Sequence, residues 1–443
     1  MTGARTTTLA AGAPDEGLLD AERSRRARVL AIALPVAAFA MHLAIGRRLA
    51  GYGVLDQFNV LFSADPQMVL EAFTEGLGRH RIAHPNLPHF FSFLVRGVAW
   101  LVSAASAGHV DAAVVRRALG LLIVPVAAAL QSRVLFRLLV RLGRPLAEAA
   151  LLTALSILSL STMVFGSVPE SFALSGLAIT LGFALFLSTK GSEGPRVYWT
   201  WIALGVFAAG LTITNVLSIG ILFGVRRWFF GRRLGRTIVV ALAFVALVAG
   251  ICVTSHVAIN AALHLPLRSI SNEGLTYIGY YLTEEPLQRA LVFPSAVASA
   301  LTDGMPKLLP NKLARGEGIT WRMTYQYYAR SLSLRNIAGW ALLGALFFLA
   351  FARRGRGGPI VPLARASVGI IAVSWLLHSF WGDEQFLYSQ HWHVAVIVLA
   401  AGALSHVERS KAAVYPLLGA AVAFVGLNNI ATLSKIFARI QQG

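Results

Sequence analysis

Residues 238–257 read IVVALAFVALVAGICVTSHV, twenty positions without Asp, Glu, Lys or Arg, preceded by Arg232, Arg233 and Arg236. At 1.5 Å per residue, a helix of this length matches the ~30 Å hydrocarbon core of a bilayer. Residues 29–45 and 412–427 are runs of the same kind, long enough or nearly so to cross as helix. Over 443 residues the chain is 56% hydrophobic and 13% charged, with a mean hydropathy of +0.66. A soluble protein of this length has about a quarter of its residues charged, so too few polar side chains are present to cover a water-facing surface. A porin-like barrel would show short alternating segments, and none is seen. The pattern predicts an all-α, polytopic transmembrane bundle of about eleven spans, with amphipathic juxtamembrane helices in its outer loops.

The net charge is +19. In a soluble chain that excess would suggest nucleic acid. Here the arginines form short clusters between apolar runs, at 23–28, 133–144, 226–236 and 353–356, which is the positive-inside pattern. No nucleic-acid motif accompanies them, and no nucleic-acid partner is expected. The single cysteine, Cys252, lies in mid-run, so it forms no disulfide within the chain.

Charge threads the chain. Residues 1–28 read as a disordered cytoplasmic N-terminus, followed by a retained first helix, since no A-x-A site closes that run. The localisation expected is a multi-pass inner membrane protein with its N-terminus in the cytoplasm. A module over 29–258 is followed by a large outer loop, 259–335, with short helices, and by C-terminal spans over 336–443. Residues 66–77 form an amphipathic stretch, with Met68, Val69, Ala72 and Phe73 opposite Glu71 and Glu75, suited to lying on the membrane surface. If residues 90–106 crossed fully, the arginines at 133–144 would face outward. The charge rule therefore favours an outer-leaflet or re-entrant segment there, followed by an inward run over 110–142. Residues 198–224 must begin and end on the arginine side, and Thr212, Thr214 and Asn215 interrupt them midway, so a hairpin of two broken helices is expected. Broken backbone at that depth is tolerated only beside protein or a water-filled cavity.

On this path the loops that carry acids and histidines share one face. The first holds Asp65 before Pro66, and His84-Pro85 further on. Asp65 reads either as a helix N-cap, with Pro66 at the first helical position, or as a functional acid, and His84 as a loop histidine or a ligand-binding one. The second reads Gly166-Ser-Val-Pro169-Glu170-Ser171, with Glu170 at a helix start that favours negative charge. An acid at a membrane boundary is costly without a partner. The late loop is the densest: His378, Asp383, Glu384, Tyr388, Gln390, His391 and His393 lie within sixteen residues. An aromatic belt accounts for Trp381, Tyr388 and Trp392 but not for the acids and histidines. No zinc spacing such as H-E-x-x-H is present, so no metal ligands are assigned, although a divalent cation stays open. Arg79, Arg81, Arg268, Lys307, Lys312, Arg315 and Arg322 offer cations for a lipid phosphate. No P-loop, G-x-S-x-G or Rossmann fingerprint occurs.

An N-terminal span, an outer loop with Asp65 before a surface helix, and His84-Pro85 before an apolar helix together resemble the GT-C glycosyltransferases. These include the polyprenyl-phosphate-sugar-dependent protein mannosyltransferases and the lipid A aminoarabinose transferase. The arginine-rich helix end at 135–144, Pro169-Glu170-Ser-Phe, and the interruption at 212–215 are similar too. The resemblance covers roughly residues 25–260. It departs from the family at Pro66, where an acid often follows the first Asp, and the late Gly382–His391 stretch aligns to no named subfamily.

The resemblance implies an inverting transfer from a polyprenyl-phosphate-linked sugar, the donor substrate, to an envelope glycan, lipid or protein acceptor at the outer face. Asp65 would be the general base, with Glu170 orienting the acceptor or His84. Asn215, Arg268, Asp383, Glu384, Tyr388 and His391 join His84 as candidate substrate-binding residues, with cations on the departing phosphate. Two alternatives stand beside it. A membrane transporter or lipid flippase would also use broken helices, although no inverted repeat is visible. A non-catalytic assembly protein of the envelope would not depend on Asp65.

Overall fold

The structure is a computed structural model. It describes residues 16–56, 61–62, 64–74, 87–189, 192–229, 233–262, 286–301, 307–311, 318–322, 334–351, 360–380, 386–405 and 411–441. Leu, Ala, Glu and Arg, all strong helix formers, fill the first element, α1 (Glu16–Gly51). The helix starts upstream of the basic cluster, so the N-terminal segment expected to be disordered through residue 28 is helical from residue 16 onward.

A 3-10 turn (Val54–Asp56) leads to the short amphipathic α2 (Pro66–Thr74), then α3 (Leu87–Ala105) and the long α4 (Ala112–Arg141). Helices α5 (Leu146–Leu158), α6 (Leu160–Phe165), α7 (Ser171–Ser188), α8 (Pro195–Leu211), α9 (Asn215–Phe229) and α10 (Leu234–Ala262) follow. After them come α11 (Pro286–Leu301), α12 (Leu334–Phe351), α13 (Ile360–Phe380), a 3-10 segment (Leu387–His391), α14 (His393–Leu404) and α15 (Lys411–Ile440). The loop expected to hold short helices also contains an antiparallel hairpin, β1 (Lys307–Asn311) with β2 (Gly318–Arg322).

Among the described residues, six helices are long and apolar enough to cross a membrane: Ser24–Gly51, Ala112–Arg141, Ser171–Ser188, Leu234–Ser255, Ile360–Phe380 and Ala413–Ile440. Shorter apolar helices lie at Leu94–Ala105, Leu146–Leu158, Gly339–Leu349 and His393–Leu404. Large apolar side chains such as Val29, Ile32, Val239, Leu242, Leu417 and Phe424 point outward, uncovered by protein. A surface of that kind is at home in hydrocarbon, not water. The chain is a multi-pass α-helical membrane protein.

The bundle has two unlike ends. At one, Arg144 and Glu148 form a buried bidentate pair at 2.7 and 2.8 Å, and the Arg226 guanidinium donates to the carbonyls of Thr189 (2.6 Å) and Ser192. Arg227 donates to the Tyr198 hydroxyl. The ends of α4, α7 and α9 therefore meet where the arginines cluster. At the other end, Arg117 of α4 pairs with Asp56 at 2.5 Å, and Gly120 lies against Leu70 and Thr74 of α2. Hence α4 starts beside the first loop and runs toward the arginine end, the direction that charge favours.

Helices α8 and α9 form a hairpin. Tyr198 and Trp201 pack on Phe223, at 6.1 and 5.7 Å between ring centroids, so both legs return to the arginine end. At the break, Asn215 Nδ2 donates to the Ala208 carbonyl at 3.1 Å and to Ser175 Oγ at 2.9 Å. The Ala208 carbonyl also accepts from Thr212 N–H at 3.2 Å, so the Asn215 amide adds a second bond there and ties the break to α7 through Ser175. A second break, at Ser159 between α5 and α6, is braced in the same way. The Ser159 side chain caps α6, and Asn429 of α15 donates to the Leu158 carbonyl at 2.8 Å.

Helix α1 approaches the α6–α7 turn closely because both faces are glycine: a Cβ on Gly46 would meet the Ser167 carbonyl oxygen at 2.7 Å, and one on Gly166 the His42 ring at 2.6 Å. Gly46→Ala should therefore lower the thermal midpoint in detergent, by an amount equivalent to about 1–3 kcal/mol. Gly250→Ala, where a Cβ meets nothing within 4 Å, should leave it unchanged or raise it slightly, since Ala is the better helix former. Equal midpoints for the two variants would contradict the close α1 crossing.

Candidate functional site

Asp65 occupies the position before Pro66, and its carbonyl accepts the first helical bond of α2 from Val69 N–H at 3.1 Å, as an N-cap residue does. Its own N–H points elsewhere, donating to Glu170 Oε1 at 2.8 Å. Glu170 caps α7 through Oε2, which accepts from Ser171 N–H at 3.0 Å. Two acids 105 positions apart in sequence are thus joined at the end of the bundle opposite the arginines. Asp65 is half-buried and Glu170 buried.

Burial pushes the Glu170 carboxyl up to about 8; the Asp65 charge pushes it the same way, and the two backbone N–H donors only partly offset this. Burial and a nearby negative charge both disfavour the ionised form, so the Glu170 carboxyl keeps its proton to higher pH.

The second loop is itself held from α1. Ser167 Oγ donates to the Met163 carbonyl at 2.7 Å, so its bond to His42 Nδ1 at 3.2 Å takes its proton from the imidazole. Sequence reasoning missed His42. The available signal was a histidine inside an apolar run, which is costly unless partnered.

Aromatic rings tie in the late loop. Phe62 lies 4.6 Å from Phe386, Phe386 5.5 Å from Phe165, and Phe165 5.3 Å from Phe172. Phe172 then meets Tyr388 edge-on at 5.9 Å and His391 at 5.8 Å, and His378 stacks on Tyr388 at 4.3 Å. Phe62 adopts φ 55° and is fully buried, a conformation costing a bulky residue about 1–3 kcal/mol and held here by its ring packing. All three acid- and histidine-bearing loops therefore meet at one place.

The late segment dips into the bundle instead of remaining at its rim. Gln390 Nε2 donates to Ser161 Oγ (3.2 Å) and Thr162 Oγ1 (3.3 Å), and a Cβ on Gly176 would touch the side-chain amides of Gln390 and Gln131. His393 Nε2 bonds Ser156 Oγ at 3.1 Å, next to the α5–α6 break. Burial holds His391 down at about 4, so at neutral pH it works as an uncharged hydrogen-bonding ring and not as a cation.

Of the substrate-binding candidates, Tyr388 and His391 lie in this cluster. Asn215 is spent bracing the α8–α9 break. His84, Arg268, Asp383 and Glu384 lie outside the described residues, as do Arg79, Arg81, Lys312 and Arg315. The β1–β2 register sets Lys307 opposite Arg322. Among the described residues no group of three or more His, Cys, Asp or Glu could hold a metal ion. No family model matches the chain, and no curated protein or solved structure matches it.

Because the folded Glu170 carboxyl holds its proton up to about 8 and an ordinary one only to about 4.5, the folded state binds the extra proton between these values. Its contribution to stability is full below about 4.5 and is lost as pH rises through about 8. The thermal midpoint of the wild type should fall more steeply from pH 5 to pH 9 than that of Glu170→Gln. Parallel curves would show that Glu170 is not buried beside Asp65.

Proposed function

We propose that this chain is an integral membrane glycosyltransferase of the GT-C type. It transfers a sugar from a polyprenyl-phosphate donor to an envelope glycan, lipid or protein, with inversion at the anomeric carbon. The observation that carries this reading is the bond from Asp65 N–H to Glu170, which joins an acid of the first loop to an acid of the second at one end of an apolar bundle. A lipid-linked donor explains why the acids of an enzyme should lie at a membrane boundary.

In this mechanism the acceptor hydroxyl attacks the anomeric carbon, the bond from that carbon to the phosphate oxygen breaks, and the phosphate leaves with the electron pair. Asp65 takes the hydroxyl proton. Glu170 holds the Asp65 backbone in place and, with its own carboxyl pushed up to about 8, adds no full second charge beside Asp65 near neutral pH. Tyr388 and the neutral His391 offer hydrogen bonds to the sugar or phosphate from the late segment. The outer face, with the N-terminus in the cytoplasm, is the side on which such a donor meets an envelope acceptor. The arginine end is then cytoplasmic.

A transporter or flippase draws on a different observation: the breaks at Ser159 and Thr212 and the buried Gln131, Gln390 and His393 are polar features inside a bundle, as in transporters. The two readings separate in one assay. Membranes carrying equal amounts of inserted wild type, Asp65→Asn and Glu170→Gln are supplied with radiolabelled polyprenyl-phosphate sugars and an envelope extract as acceptor. Wild type should transfer label. Asp65→Asn should lose about 10²–10⁴-fold, the range for removing a general base, and Glu170→Gln should lose less. Undiminished transfer by Asp65→Asn would reduce Asp65 to a helix cap. Movement of labelled lipid across the membrane without transfer would favour the flippase.

A further inference from the structure

Inside the bundle, Gln131 of α4 and Gln390 of the late segment are exposed by only 3% and 1%. Both amide atoms of Gln131, and Oε1 of Gln390, have no hydrogen-bond partner among the described residues. Nothing in the transferase reading uses them. We infer that one ordered water, enclosed by protein at mid-membrane depth, bridges the two amides and joins α4 to the polar network of the late segment.

The first observation is convergence. A Cβ on Gly176 of α7 would lie 2.9 Å from Gln131 Nε2, 2.9 Å from Gln131 Oε1 and 3.0 Å from Gln390 Oε1. The two amides therefore approach within about 6 Å of each other without bonding, a gap that one water spans with a hydrogen bond to each side. Gln390 Nε2 is already engaged, donating to Ser161 Oγ and Thr162 Oγ1, which leaves its oxygen beside Gly176 and Gln131. A water suits either orientation of the Gln131 amide. It accepts from Nε2 or donates to Oε1, and in both cases donates to Gln390 Oε1.

The second is depth. Along α4, Gln131 lies about 15 Å from Arg141 at 1.5 Å per residue, half of the ~30 Å hydrocarbon core. An amide left unbonded there pays its full desolvation cost. Lipid keeps bulk water away, but single waters walled in by protein regularly complete buried polar groups.

The third is the chemistry of the gap. Both side chains are neutral, and among the described residues no group of three or more His, Cys, Asp or Glu could hold a metal ion, so a cation finds no counter-charge. A sugar ring is too large for the space between the amides. Water is small, neutral, and both donor and acceptor. It also extends a network already present. Ser159 Oγ donates to Thr162 Oγ1 at 2.9 Å, and His393 Nε2 bonds Ser156 Oγ at 3.1 Å and lies 3.4 Å from Ser159 Oγ. With the water, hydrogen bonds run from α4 through the late segment and the α5–α6 break to α14, and buried chains of this kind strengthen one another.

The test is solid-state NMR of the full chain in lipid bilayers, with isotope-labelled glutamine and each signal assigned by removing that residue. Magnetisation passed from water should reach the Gln131 side-chain amide as readily as that of Gln67, which is exposed. After transfer to heavy water, the Gln131 amide should exchange about tenfold or more slowly than that of Gln67, because its water is enclosed. Gly176→Ala sets a methyl group among the three atoms and should abolish the transfer to Gln131 while leaving Gln67 unchanged. The wild-type spectrum decides the site even if that variant does not fold: a Gln131 amide that receives nothing from water would overturn the inference. So would exchange as fast as at Gln67, which would make the place an open aqueous channel, or transfer to Gln131 that persists in folded Gly176→Ala.

Discussion

Every backbone polar group inside hydrocarbon must find a protein partner, because no water reaches it there. The architecture follows from how this chain meets that constraint where its helices stop. At the α5–α6 break the carbonyl of Leu158 is taken by Asn429 from the last helix, and at the α8–α9 break that of Ala208, already bonded by Thr212 N–H, gains a second donor in Asn215. At the arginine end of α7 the carbonyl of Thr189 is taken by Arg226. Each repair is a side chain brought from elsewhere in sequence or across the break. The breaks therefore do more than bend helices, since each fastens two or three elements together at a fixed height.

Those fixed heights build the site. The α5–α6 break lets α6 end in Gly166, whose lack of a side chain admits the His42 ring. His42 anchors Ser167, and three residues later Glu170 caps α7 while accepting the Asp65 N–H. A chain of short, specific contacts thus leads from the middle of the first helix to the acid pair. The aromatic rings from Phe62 through Phe386 to His391 close the arrangement from the third side. Desolvation at this place, helped by the Asp65 charge, raises the Glu170 carboxyl well above the usual carboxylate range.

Charge is sorted in the opposite sense. At the arginine end Arg226 donates to carbonyls, Arg227 to a tyrosine hydroxyl and Arg144 to a buried carboxylate. The site end holds Asp65, Glu170 and His391, with Arg117 paired to Asp56. A positive end retained on one side and a lipid-facing apolar belt between the two ends together fix how such a bundle sits in a bilayer. The length of α4, about 45 Å for 30 residues, exceeds the core it crosses, so its first turns and the α3–α4 turn reach the headgroup layer.

The amino-acid sequence by itself determined the class. Apolar runs of membrane length can form nothing but helices or a barrel, and their period excludes a barrel. The arginine clusters likewise determined the direction of α4, and Thr212, Thr214 and Asn215 announced the α8–α9 hairpin, because polar residues in mid-run demand partners. Asp65 and Glu170 were legible as acids at helix starts, but their union was not, since an N–H bond between positions 105 apart leaves no mark in local pattern. Nor did sequence distinguish Asn215 as a brace from Asn215 as a ligand, or reveal His42 as an anchor: the outcome depends on which glycine lies opposite, and only packing decides that. The number of complete crossings stayed open for the same reason. Short apolar helices such as Leu146–Leu158 and His393–Leu404 are continued or replaced by neighbouring segments, and tertiary contacts, not hydropathy, set where each one ends.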